Sequence, residues 1–186
     1  MTVRELDAET WPAFCRLVEK HNGVWGGCWC LAFHQKVTGS KETNQAVKHQ
    51  LVCHGKARAA LVFVGDDAVG WCQFGRPSDL PRIYHRKEYE RQRVAAADWR
   101  VTCFFVDRHY RRRGIARIAL DGALDFIARE GGGLVESFPN EVGDKKTSAS
   151  FLHNVTLTLF EATGFERVAK IGMHKWLVVK HVEPAR

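Results

Sequence analysis

The chain has 186 residues, 45% of them hydrophobic and 26% charged. That suits one ordinary domain with a sizeable core and excludes wholesale disorder, a repeat array or a disulfide framework. Twenty-eight basic against 21 acidic residues give a formal charge of +7, which attracts polyanions without naming a partner.

The opening MTVRELDAETW carries no signal-like apolar run, and no later apolar stretch is long enough to span a membrane. A cytoplasmic location with six reduced cysteines is the expectation. Thr2 to Leu6 reads as a short edge strand. Trp11, Phe14, Leu17 and Val18 recur at helical intervals and predict a helix over 10–21. Asn22-Gly23 and Gly26-Gly27 interrupt regular structure around VWGGCWCLAFH, an aromatic, cysteine-bearing loop or short strand. A polar second helix over 41–54 is expected to act as a mobile cover over a cleft.

Ala59 to Val64 and Val69 to Phe74 bracket Gly65-Asp66-Asp67 as a hairpin. Residues 75–98, begun by Pro77 and Pro81 and rich in arginine, form an excursion, lid or insertion. Val101 to Val106 is the strongest central strand, since five of its six residues are apolar or Cys. Ile115, Leu120, Leu124 and Ile127 then mark a helix stopped by Gly131-Gly132-Gly133. A strand over 134–138, a polar loop over 139–150, a helix over 152–162 and strands over 165–170 and 176–182 complete the chain. The expected fold class is α/β: one domain over 1–186 with a mixed central sheet of about six or seven strands flanked by helices.

A turn from a strand into a helix offers free backbone N–H groups at the positive end of the helix dipole, which suits an anion. Arg111-Arg112-Arg113-Gly114-Ile115-Ala116 occupies such a turn. Gly114 permits close approach of the backbone, Ala116 keeps the first helical turn small, and four arginines between 108 and 113 add positive field. The plainer reading of the same residues is an exposed basic loop. No strand-linked GxGxxG opens a dinucleotide unit, and Gly143 to Thr147 lacks Walker A spacing.

Read as Arg111-x-x-Gly114-x-Ala116, the turn resembles the cofactor motif of the GNAT acetyltransferase superfamily. LFEATGFERV over 159–168 resembles that family's late helix, turn and strand. The likeness runs from Ala59 through GFERV, and a glycine-rich CWC segment near the N-terminus is a further likeness to acetyltransferase-like sequences. It implies that acetyl-CoA is bound by Arg111, Arg112, Arg113, Gly114, Ile115 and Ala116 at its pyrophosphate. The backbone of Phe104, Phe105 and Val106 would hold its pantetheine arm. An N–H near Phe105 or Val106 would hold the acetyl carbonyl. Where many members have Tyr before Glu-x-x-Gly-Phe, this chain has Phe160, which removes the phenol that often protonates the departing thiolate.

Acetyl transfer to an amine needs a neutral nitrogen beside a held carbonyl. Glu136, the lone carboxylate of LVESF, is the expected proton acceptor, with a solvent-facing strand residue as the alternative. His153 is a second candidate base, and Asn154 a candidate ligand for an acyl or pantetheine amide. Asp107 is expected to make a structural bond to an arginine or to backbone beside the phosphate loop, rather than to act as a base. Trp25, Trp29 and Trp71, with Phe33, are expected to wall an acceptor pocket for a small-molecule or peptide amine. Cys28, Cys30 and His34, with Cys53 and His54 more than twenty residues on, offer zinc donors, but CxC is tighter than a CxxC knuckle, so no metal is expected. The 75–98 excursion would set specificity or a homodimer contact. The competing readings are a non-catalytic acyl-CoA-binding module and a nucleic-acid-binding module; the second is disfavoured because cofactor phosphates already account for the densest arginine cluster.

Overall fold

Seven strands form one sheet in the order β1-β2-β3-β4-β5-β7-β6 in the computed structural model, which describes residues 1–24, 26–142 and 155–186. The strands are β1 (Thr2–Glu5), β2 (Arg58–Val64), β3 (Asp67–Gly75), β4 (Trp99–Val106), β5 (Gly133–Ser137), β6 (Glu166–Lys170) and β7 (Trp176–Val182). All neighbours are antiparallel except β4 and β5, which run parallel. The helices are α1 (Trp11–Lys20), α2 (Lys41–Cys53), α3 (Arg86–Gln92), α4 (Ile115–Arg129) and α5 (Leu157–Glu161). The mixed α/β architecture agrees with the sequence expectation. The beginning of the expected late helix, 152–154, lies outside the described residues, and α5 occupies only 157–161.

Among the described residues the two largest cores lie on opposite faces of the sheet, with a smaller cluster of Tyr89, Phe138, Ile171 and Leu177. On one, Phe14, Leu17 and Val18 of α1 pack with Trp29, Leu31, Phe33, Trp71, Cys103 and Phe105. On the other, Ile115, Ala119, Leu120, Ala123 and Ile127 of α4 pack with Val62, Cys72, Phe74, Trp99, Val101, Phe104 and Phe160. Each fully buried Leu, Ile or Phe contributes about 1.5–3 kcal/mol through removal from water, so both layers hold the sheet. Gly70 lets α4 approach closely: a Cβ there would lie 2.8 Å from both Ile115 Cγ2 and Phe105 O.

The 76–98 excursion contains α3 and turns back under the sheet, with Leu80 and Tyr89 buried. The second helix is more firmly attached than a loose cover would be. Asn44 Nδ2 donates to Gly27 O (2.8 Å), Lys48 is 1% exposed, and Val52 joins the core.

A bulge in β4 matters most for the site. Thr102 and Cys103 together face Gln73 alone, because Val101 pairs with Phe74 and Phe104 with Cys72. The extra residue reverses the alternation, so Val101 and Phe104 share the α4 face while Cys103 and Phe105 face α1 and α2.

Candidate active site

β4 and β5 pair over only three positions, ending at Val101 and Ser137, yet β4 runs on to Val106. Beyond that point the two strands form the limbs of a fork. Asp107 N–H donates to Val69 O (2.9 Å), so by strand alternation the backbone groups of Phe105 face β3 and those of Phe104 and Val106 face the fork. Val106 O accepts from Arg111 Nε there (3.4 Å). Of the two residues expected to supply an N–H for the acetyl carbonyl, Val106 therefore faces the opening and Phe105 does not. At the root of the fork, Thr102 Oγ1 is buried without a hydrogen-bond partner among the described residues.

A lysine reaches the second limb from the residue before β7. Trp176 N–H donates to Pro139 O (3.1 Å), which turns Pro139 toward β7 and the preceding carbonyl, Phe138 O, toward β4. Lys175 Nζ donates to that carbonyl at 3.2 Å and lies 5.5 Å from the Tyr84 ring centroid. Lys175 is 8% exposed, and burial alone brings its pKa down to about 8. Farther along the limb, Asn140 bridges Thr156, whose side chain caps α5 by accepting from Leu159 N–H (3.3 Å).

β4 leads through Asp107 and a 3-10 turn, Arg108–Tyr110, into α4. Gly114 is the N-cap of α4 at φ +76°, with no side-chain cap and no acidic residue in the first turn. A Cβ on Gly114 would meet nothing within 4 Å, so the space in front of the helix is open. Arg108, Arg111, Arg112 and Arg113 are exposed, and none forms an ion pair among the described residues. Uncapped N–H groups, unpaired guanidiniums and open space together fit a diphosphate. Ile115 is buried against the sheet, so any part it has in anion binding is through its backbone.

Asp107 makes the structural bond expected of it, with Lys20 rather than an arginine. Its Oδ2 lies 2.7 Å from Lys20 Nζ and 3.5 Å from His21 Nε2, and Oδ1 accepts from His109 N–H (3.0 Å). Burial pushes this carboxyl up, but the hydrogen bonds from Lys20, His109 and His21 outweigh it and bring the pKa down to about 2.

Two expectations need correction. Glu136 is neither a free carboxylate in the cleft nor a solvent-facing strand residue. It is 1% exposed, and its Oε1 accepts from Arg100 (2.6 Å from Nη2, 2.7 Å from Nε) and Tyr89 OH (3.2 Å). Trp29 and Trp71 are 2% and 1% exposed and pack around Phe14 as core, not as the wall of an open pocket. Half-exposed Tyr84 meets the buried Phe33 edge to face at 5.9 Å, and the two line a groove of about 260 Å³ with Arg82, Ile83, Lys36 and Val37. Trp25, His153 and Asn154 lie outside the described residues.

The CWC segment belongs to a buried network. Cys30 donates to Gln73 Oε1; His34 Nδ1–H donates to Asp79 O (2.8 Å); His34 Nε2 accepts from Gln73 Nε2 (3.0 Å) and lies 3.5 Å from Lys48 Nζ. Burial first, then the Lys48 charge, lowers the His34 pKa to about 3, so this imidazole is neutral. Cys53 is exposed beside His49, away from that network. Among the described residues no three His, Cys, Asp or Glu side chains are arranged to hold a metal.

Sequence reasoning missed Tyr84, Arg100 and Lys175. Tyr84 and Arg100 sit in or beside an aperiodic or arginine-rich stretch, and Lys175 in a turn, so none stood out from its surroundings.

The fork and the uncapped α4 are the frame of an acyltransferase. A model of the acetyltransferase (GNAT) family matches residues 32–141, and this chain belongs to that family. A comparison with curated proteins finds no match. Among solved structures, a mosquito arylalkylamine N-acetyltransferase like 5b superposes with TM-score 0.58 at 12% identity, covering 97% of this chain and 99% of its own. An aminoglycoside 6'-acetyltransferase type Ii gives 0.57 at 13% identity, covering all of both chains. The ribosomal-protein-S18-alanine N-acetyltransferase from Escherichia coli gives 0.53 at 12% identity, covering 100% of this chain and 96% of its own. At such identities these likenesses show the shared fold. No helix among the described residues is long and apolar enough to cross a membrane.

Proposed function

We propose that this protein binds acetyl-CoA along the fork and transfers its acetyl group directly to a primary amine. One observation carries the reading: β4 extends past its pairing with β5 and leads straight into an uncapped helix N-terminus flanked by four exposed arginines that form no ion pair among the described residues. The acetyl thioester supplies an activated acyl group, and the residues of the chain bind and orient it. Arg111, Arg112, Arg113 and the Gly114–Ala116 backbone hold the diphosphate. Phe104 and Val106 pair with the pantetheine amides, and a fork-facing N–H of the same edge, that of Val106 foremost, stabilises the developing oxyanion.

Positioning supplies much of the acceleration, because a held amine and a held thioester react as one molecule. Glu136, bound by Arg100 and Tyr89, serves to fix the root of the fork, and His153 remains the proposed proton acceptor, with Asn154 holding a cofactor amide. The acceptor enters beside Phe33 and Tyr84, whose groove suits an amine with an apolar or aromatic body.

Calorimetric titration with acetyl-CoA, followed by a thiol-release assay over an amine panel, tests the proposal. Saturable micromolar binding and amine-dependent CoA release are expected. Binding without release under any amine would reduce the protein to an acyl-CoA-binding module, and no binding by folded protein would overturn the reading.

A further inference from the structure

Lys175 is a buried cation in a place where buried charge is normally neutralised. Among the described residues its Nζ meets Phe138 O and the Tyr84 ring, and no carboxylate pairs with it. Lysines this buried are uncommon unless paired. Its nitrogen donates to Phe138 O, which lies past the last β4–β5 pair and which the register turns toward β4. That is where an acceptor amine would stand if the thioester lay on β4. Lys175 brings an ε-amine to the β4-facing carbonyl of that limb.

We propose that Lys175 is itself an acetyl acceptor, modified by the acetyl-CoA bound in the same fork. This rests on the proposed function, since it needs the thioester on β4. The neutral ε-amine adds its lone pair to the thioester carbonyl carbon. A nitrogen–carbon bond forms, the carbon–sulfur bond breaks, and the CoA sulfur leaves as thiolate. The proton released by nitrogen passes to that thiolate through water. The product, an N-acetyl-lysine amide, carries no charge, so it removes the unpaired cation from its buried site while still offering an N–H to Phe138 O.

The surroundings favour a neutral amine. Burial lowers the Lys175 pKa to about 8, with no charged partner to restore it. Facing it from the 76–98 segment is Tyr84, whose phenol is pushed up by burial and then by the Cys28 and Cys103 thiols, with Arg82 nearby acting in the opposite sense. From the extension of β5, Glu141 is taken up by Lys170 (2.8 Å) and Arg167 (3.8 Å). His174 is its neighbour in the chain.

The experiment incubates the intact protein with acetyl-CoA, without any added amine, and locates acetyl groups by peptide mass spectrometry across pH 6 to about 10. Label on Lys175 is expected to rise with pH and level off above about 8, and at pH 8 to exceed that on exposed Lys56 by about tenfold or more. A trace of acetic anhydride, which needs no cofactor site, reads the Lys175 titration independently. Lys175→Met should still bind acetyl-CoA by calorimetry while losing the label, and the neutral, similarly long side chain keeps the fold. If acetyl-CoA binds and the label falls on surface lysines alone, the inference is overturned and the proposed function stands. If acetyl-CoA does not bind, both fall.

Discussion

Arg100 and Glu136 face each other across the parallel β4–β5 pair, with guanidinium and carboxylate 2.6 Å apart and both side chains at most 5% exposed. The pair ties β4 to β5 two residues before the fork opens, and Arg100 also donates to Leu80 O of the excursion. It is a clamp on the geometry of the site. Removing one partner leaves an uncompensated buried charge, which costs about 3–5 kcal/mol. Glu136→Gln is therefore expected to lower the urea midpoint sharply while acetyl-CoA affinity of the folded fraction holds. Replacing both, with Arg100→Met and Glu136→Leu, should recover most of the loss, and a single variant as stable as wild type would show that the pair is not structural.

At the mouth of α4, Gly114 combines a left-handed backbone with open space in front of it. Gly114→Ala strains the turn by about 1 kcal/mol without a steric clash. Gly114→Asp adds a negative charge where a diphosphate is expected, and should weaken acetyl-CoA binding by about tenfold or more, the effect of about 1.4 kcal/mol. Equal affinities for wild type and Gly114→Asp in calorimetry would place the phosphates elsewhere.

Acid stability should report Asp107. Its folded pKa of about 2 lies below the ordinary 3.8, so its contribution is fully present above about pH 4 and is lost as pH falls through about 2. Lys20→Ala removes the shortest of its bonds and should move this loss to higher pH. Thermal melts of both proteins between pH 2 and about 5 would show it; superimposable acid limbs would mean that Lys20 does not hold the loop.

Trp71 offers a test of core against pocket. Its ring stacks on Phe105 at 4.8 Å and packs on Phe14 at 5.0 Å. Trp71→Ala should cost about 3–5 kcal/mol of stability, with a proportionate loss of soluble protein. Tyr84→Ala, at a half-exposed groove residue, should cost little stability and raise the KM for an aromatic amine. The opposite assignment of the two effects would restore Trp71 to the acceptor wall.

Local chemistry made most of the architecture legible in the sequence. Amphipathic spacing marked α1 and α4, the apolar run at Val101 to Val106 marked β4, and Gly114 within an arginine cluster marked the anion turn, because each signal lies within a few neighbouring residues. The chain alone could not say that Glu136 meets Arg100 36 positions away, that Trp29 and Trp71 are shared with Phe14, or that Lys175 reaches the carbonyl of Phe138. Those relations depend on register. One extra residue in β4 decides which side chains face α4, and one step of alternation decides that Val106 opens to the fork while Phe105 turns to β3. Sequence determined the elements and the glycine-arginine turn; the pairing of distant strands decided which charges are neutralised, which aromatics are core and which carbonyl Lys175 reaches.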